Sequence, residues 1–282
     1  MSPAAPFPEH GDRLREEVRL LGGLLGEVIR DEGGQGLYDR IEAVRRASVA
    51  YHRDPASNDA SRLEAQLAEL SLDDAVGLAH GFAAFSLLAN IAEDRAGKRR
   101  AQEQAAAAAR PDTPEGALQQ LADAGRTPAD ARDLLAGALI SPVLTAHPSE
   151  VRRKSVIDRI AAVSDLLDAC DLTGAACDLA ARDAGLRRQT TILWVTRLVR
   201  QAGLAVQDEI DTVVSFLDRV FLRVAPAQLA DWRRRLGAPE LAPFIRVGSW
   251  VGGDRDGNPN VDGAVLTAAF RSQARAVLRF YL

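Results

Sequence analysis

Apolar residues recur at three- and four-residue steps along most of the chain. Leu14, Val18, Leu21, Leu25 and Val28 mark one face of a helix, and Gly33-Gly34 follows as a stop. Leu37, Ile41 and Val44 repeat the pattern, as do Leu63, Leu67 and Leu70. Ser71 with Asp74 has the form of a capping box ahead of a long helical run from Val76 to Arg100. Ala105 to Ala109 extends that helix or frays from it, alanine being the best helix former, and Pro111 closes it. Thr113-Pro114 and Thr127-Pro128 each set a hydroxyl at the N-cap and a proline at the first helical position. They predict two short helices separated by Gly125.

Two segments depart from the helical period. Residues 140–147 (ISPVLTAH) are apolar, β-branched at Ile140, Val143 and Thr145, and bracketed by Pro142 and Pro148; they read as a short buried strand. Residues 243–250 (PFIRVGSW) alternate well enough to be a second strand. Helices are expected at about 150–170, 179–201, 208–224 and from Gly263 to the end, and no internal repeat is visible. The last apolar run (Phe270, Ala274, Val277, Leu278, Tyr281) meets Leu282 without a cap or polar tail, which reads as a chain cut from a longer one.

Composition adds exclusions. With 35 basic and 39 acidic side chains the formal net charge is −4, so no general nucleic-acid surface is expected, although clustered arginines remain able to bind a small anion. Cys170 and Cys177, seven apart, read as small core residues on one helical face, and two cysteines do not make a four-ligand zinc site. The proline-bearing N-terminus is no signal peptide, and no window was expected to be apolar enough to span a membrane. A cytoplasmic protein is the expectation.

Two places combine a strand, a sharp turn and able side chains. His147 ends the first strand, and Arg152-Arg153-Lys154 follow in the next helix. An imidazole there is a credible general base, and cations beside a helix N-terminus favour phosphate or carboxylate. A hydrogen-bonding structural histidine and a solvated basic face fit equally well. The second place is Gly252-Gly253-Asp254-Arg255-Asp256-Gly257-Asn258-Pro259. Its glycines permit close backbone approach, and its alternating charges either bind an anion or pair with one another in a tight turn. A calcium loop is excluded, because Pro259 and Val265 stand where glycine and glutamate are required; a phosphate-binding P-loop is excluded too, for want of Gly-Lys-Ser/Thr.

Val143-Leu144-Thr145-Ala146-His147-Pro148-Ser149-Glu150, with its basic cluster, resembles the histidine signature of phosphoenolpyruvate carboxylases. Gly248 to Val261 (GSWVGGDRDGNPNV) resembles the family's second long signature. Weaker matches lie in order: Phe85-Ser86 with Asn90-Ile91-Ala92-Glu93, and Trp194-x-Thr196 with Arg200 and Asp208-Glu209. The departures are local. Ser149 replaces a threonine, Arg197 and Leu198 stand where acidic residues are usual, Gly203 to Val206 replaces a proline-rich stretch, and Arg153-Lys154 replaces Arg-Arg.

The resemblance implies a mostly α fold, with a helical wrapping (residues 1–138) and the first two strands of an incomplete, TIM-like β/α barrel (residues 139–282). It implies an enzyme joining phosphoenolpyruvate and bicarbonate to give oxaloacetate and phosphate, with Mg²⁺ or Mn²⁺ held by ligands beyond Leu282 and none in this chain. It also implies a homotetramer with allosteric control. His147 would be the catalytic base, residues 252–258 the substrate-side loop, and Arg153 and Lys154 an effector-anion site. A non-catalytic helical fragment, an anion-binding regulatory module and a phosphohistidine phosphotransferase stay open as alternatives.

Overall fold

The computed structural model describes residues 10–53, 59–107, 113–145, 153–198, 205–255 and 258–282. They divide into two units, one made of residues 1–101 with 155–200 and the other of residues 102–154 with 201–282.

The first unit is helical. Helices α1 (His10–Val28), α2 (Gln35–Arg53), α3 (Asp59–Ala68) and α4 (Leu72–Ala107) come first, and α7 (Lys154–Thr173) and α8 (Leu179–Val195) return later. A wide turn, Ile29–Gly33, extends α1, and Gly34 at φ +86° ends it, as the glycine pair predicts. Ser71 caps α4: its Oγ accepts from the Asp74 amide and donates to the Asp74 carboxylate. The core gathers Leu21, Leu25 and Ile29, then Ala84, Leu88, Ile91 and Ala92, with Val163, Leu186 and Leu193 from the later helices. Arg95 lies inside this unit, only 2% exposed. It is ion-paired to Asp168, to Asp171 at 2.7 Å and to Glu17 at 3.4 Å, while Arg99 reaches Glu17 at 2.8 Å. A charge so deep is tolerated because three carboxylates surround it.

Two sequence readings are corrected here. Cys170 and Cys177 are half-buried and joined as a disulfide, with Cα atoms 5.0 Å apart, rather than separate core residues. The seven-residue spacing is not helical spacing at this point, because α7 ends at Thr173 and Gly174 at φ +53° turns the chain back. The stretch Leu72–Glu103 is also long and apolar enough, by length and composition, to cross a membrane. Its apolarity has a core explanation: Ala84, Leu88, Ile91, Ala92 and Ala96 are buried, and the same helix carries the ion-paired Arg95.

In the second unit, Thr113 and Thr127 cap α5 (Pro114–Asp123) and α6 (Pro128–Ala136) as their sequences predict, and Thr127 with Asp130 forms a reciprocal capping box. Strand β1 (Val143–Leu144) pairs in parallel with β2 (Gly248–Ser249), and Ile140 bridges Ile245 in the same register. Both strands are shorter than expected and neither is buried: Ile140 and Val143 are exposed. Among the described residues no other strand joins the pair, and Leu144 packs against the core around Val206, Ile210 and Ala269. Helix α9 (Val206–Phe216) runs through a wide turn (Leu217–Phe221) into α10 (Leu222–Leu236), well past the expected end at Val224. The final helix, α11 (Gly263–Tyr281), is capped by Asp262, whose carboxylate accepts from the Ala264 and Val265 amides at 2.9 Å. A small core of Val206, Ile210, Val213, Val251, Val261 and Ala269 holds α9, α11 and the loop after β2 together.

Candidate functional site

Parallel pairing decides where the two signature segments end. The Gly248 amide donates to the Pro142 carbonyl at 2.9 Å and the Trp250 amide to the Leu144 carbonyl at 3.2 Å. Both strands run the same way, so Thr145 and the loop from Trp250 leave the sheet at one edge, the edge where open α/β sheets bind ligands. His147, the expected base, lies outside the described residues, as do Asp256 and Gly257 of the loop.

The loop turns sharply on its own backbone. The Gly253 and Asp254 amides both donate to the Trp250 carbonyl at 2.9 Å, and Ser249 Oγ accepts from the Val251 amide at 3.1 Å. Gly252 adopts φ +83°, and a Cβ there would stand 2.8 Å from Ala269 Cβ and 3.0 Å from Ile210 Cδ1. Only glycine meets both demands. Farther on, Asn258 Oδ1 accepts from the Asn260 amide at 3.0 Å, closing a second small turn. Gly253, Asp254, Arg255 and Asn258 are exposed at the loop's outer side.

Thr145, Glu209, Trp250, Asp254, Arg255 and Asn258 line a cavity of about 250 Å³ at this edge. Among the described residues no ion pair or side-chain hydrogen bond engages Glu209, Asp254 or Arg255. The internal Asp-Arg pairing weighed for the loop is therefore not made between Asp254 and Arg255. Burial pushes the Glu209 carboxyl above the ordinary carboxylate range, and the neighbouring Asp208 adds to the shift. Glu209 belongs to the site although the sequence offered it only as one letter of a weak motif. Its sole independent signal is a carboxylate set between Val206 and Ile210, two residues of the apolar face of α9.

The other predicted positions fall elsewhere. Arg153 is half-buried with its Nε unpartnered among the described residues; Lys154 opens α7 and has an interaction of its own. Of the two weaker motifs, Ile91, Ala92 and Trp194 serve the first unit, Arg200 lies outside the described residues, and Asp208-Glu209 belong to the second unit. Ile91 and Ala92 are core residues, and the Trp194 carbonyl accepts from His80 Nε2 at 2.7 Å while the two rings meet edge-on. Among the described residues no three His, Cys, Asp or Glu side chains come together as a metal-holding group. The described residues thus offer no cluster that fits a divalent cation.

Comparison with known proteins agrees with the signatures. The phosphoenolpyruvate carboxylase family profile matches residues 14–282. The chain is 42% identical to the phosphoenolpyruvate carboxylase of Rhodopseudomonas palustris (strain BisB5) over 286 residues, covering 98% of this chain and 31% of that protein. It is 40% identical to the enzyme of Azorhizobium caulinodans, again over 98% and 31%, and 41% identical to that of Burkholderia mallei (strain SAVP1), over 97% and 28%. The chain thus spans about three tenths of the length of the curated relatives it matches. A match over nearly all of its residues leaves no competing assignment: the chain belongs to the phosphoenolpyruvate carboxylase family.

Proposed function

We propose that the protein containing this chain is a cytoplasmic phosphoenolpyruvate carboxylase. On this reading a bicarbonate oxygen attacks the phosphorus of phosphoenolpyruvate, the enol C–O–P bond breaks, and carboxyphosphate forms beside an enolate. His147 takes the proton of carboxyphosphate, whose collapse gives CO₂ and phosphate, and the enolate carbon adds to CO₂ to give oxaloacetate. The supporting observation is the parallel pairing of Leu144 with Ser249, which brings Thr145 of the first signature and the loop of the second to one sheet edge.

Several finer statements belong to the same proposal. Residues 1–138 form a helical wrapping, and β1 and β2 open a β/α barrel completed by residues outside this chain. Those residues also supply the Mg²⁺ or Mn²⁺ ligands. Arg153 and Lys154 hold an anionic effector in an allosteric homotetramer; the unpartnered Arg153 Nε supports the anion-binding part. The test is to assay the complete protein for oxaloacetate from phosphoenolpyruvate and bicarbonate with Mg²⁺ added. Turnover requiring both substrates is expected, and its absence overturns the reading.

A further inference from the structure

Among the described residues, the cavity at the sheet edge is lined by one cation, Arg255, and two carboxylates, Asp254 and Glu209, together with Thr145 and Asn258. Its volume of about 250 Å³ lies below the roughly 300–1,000 Å³ of pockets for drug-sized ligands, which suits a small anion rather than a nucleotide. With Glu209 and Asp254 both ionised, the cavity would carry a net negative charge and repel an anion. With Glu209 protonated, its carboxyl becomes a hydrogen-bond donor on the same cavity as a guanidinium that is itself all donors. That pair of groups fits an oxyanion.

We propose that Glu209 and Arg255 form an oxyanion subsite in which Glu209 binds as the neutral acid, donating its proton to one anion oxygen while Arg255 donates to others. The proposal rests on reading the Arg255 loop as the substrate-side loop and adds to it a proton-carrying residue from α9. Binding from the ionised state draws one proton from solvent onto a Glu209 carboxylate oxygen; no covalent bond changes.

Among the described residues Asp254 is the other carboxylate lining the cavity, and the Glu209→Gln variant tells the two apart. On its own helix, Asp208 accepts from the Ala205 amide at 3.2 Å and Asp211 accepts from Gln207 Nε2 at 2.9 Å. Asp262, at the head of α11, is committed to capping that helix. Arg271, Arg275 and Arg279 on α11, and Asp218 and Arg219 on the turn after α9, do not line the cavity. From the β1 end only the uncharged Thr145 reaches it among the described residues. Burial and the Asp208 charge already favour the protonated form of Glu209 before any ligand arrives.

The experiment titrates nitrate and sulfate into the 282-residue chain between about pH 5 and 8, where neither anion titrates, by calorimetry in buffers of differing ionisation heat. Nitrate has the planar shape of bicarbonate and sulfate the tetrahedral shape of phosphate, so the tighter binder identifies which oxyanion the subsite takes. Expected are uptake of about one proton and an affinity falling up to about tenfold per pH unit above the Glu209 titration range. Glu209→Gln, a permanent neutral donor, should bind without proton uptake and without pH dependence, and Arg255→Met should abolish binding. Failure of both anions to bind, pH-independent binding by the wild type, or undiminished proton uptake in Glu209→Gln overturns the proposal. The assay needs no turnover, so a protein that fails to carboxylate phosphoenolpyruvate would sink the functional reading and leave this result standing.

Discussion

The Trp250 amide donates to the Leu144 carbonyl at 3.2 Å, and this bond joins two stretches of chain separated by more than a hundred residues. Without it Thr145 and Arg255 would have no reason to border one cavity. The sheet that performs this task is minimal, so the loop's geometry must be held from below, by α9 and α11.

Gly252 is where that support is tightest. Gly252→Ala puts a methyl group 2.8 Å from Ala269 Cβ at a φ that L residues rarely adopt. The expected cost is about 1–3 kcal/mol, read as a lower denaturation midpoint with an unchanged denaturant slope. Gly263→Ala is the control, since a Cβ there meets nothing within 4 Å. Equal stability of the Gly252 variant and wild type would refute the close packing described for the loop.

The buried and exposed ion pairs of the first unit should behave differently. Arg95→Ala removes the buried cation shared by Glu17, Asp168 and Asp171, though Glu17 keeps Arg99 and Asp171 keeps Arg13 and Arg99, and is expected to cost up to about 3–5 kcal/mol. Glu42 is half-buried but pairs with two exposed arginines, and hydrogen bonds from Arg45 lower its pKa to about 2 against the opposing effect of partial burial, with Arg46 helping. Its folded pKa lies below the ordinary value of 4.5, so its contribution is complete above about pH 4.5 and fades as pH falls towards 2. Glu42→Gln should therefore lose no more than about 1 kcal/mol at neutral pH, and its gap from wild type should close in acid. Urea unfolding at a series of pH values separates the two cases; a gap that widens in acid would contradict the assignment for Glu42.

Helices were legible wherever a local rule was sufficient. Thr113 and Thr127 announced α5 and α6 through their own hydroxyls and the prolines behind them, and Gly34 announced the end of the first helical run. What failed was decided by partners distant in sequence. Ile140 and Val143 carry strand propensity, yet how much of 140–147 is strand depends on what pairs with it, and only β2 does among the described residues. Cys170 and Cys177 looked like one helical face because nothing between them except Gly174 shows that the helix has ended. Glu209 became a site residue through the loop that packs against α9, a relation no local pattern encodes. The histidine and glycine-rich signatures were read as units, and the structure places Thr145 of the first beside Arg255 of the second.

The 282-residue chain alone should make no oxaloacetate. Among its described residues no cluster of carboxylates or histidines offers a site for the divalent cation that the family's chemistry uses to steady an enolate. The check is a coupled oxaloacetate assay on chain purified from a host lacking its own carboxylase. Turnover above the blank would show that the chain holds more of the machinery than its described residues display.

The role given to His147 is testable in the complete protein by following two products at once. Asparagine in its place keeps a similar size and hydrogen-bonding ability but accepts no proton near neutral pH. If His147 is the base that frees CO₂ from carboxyphosphate, His147→Asn leaves phosphoryl transfer to bicarbonate largely in place and starves the enolate of CO₂. Oxaloacetate formation should then fall by about 10²–10⁴-fold, the usual contribution of a positioned base. Bicarbonate-dependent loss of phosphoenolpyruvate should fall less, and pyruvate should accumulate as the stranded enolate takes a proton from water. Equal losses of oxaloacetate formation and phosphoenolpyruvate consumption would place His147 at or before phosphoryl transfer. Undiminished carboxylation would reduce it to a histidine that merely closes a strand.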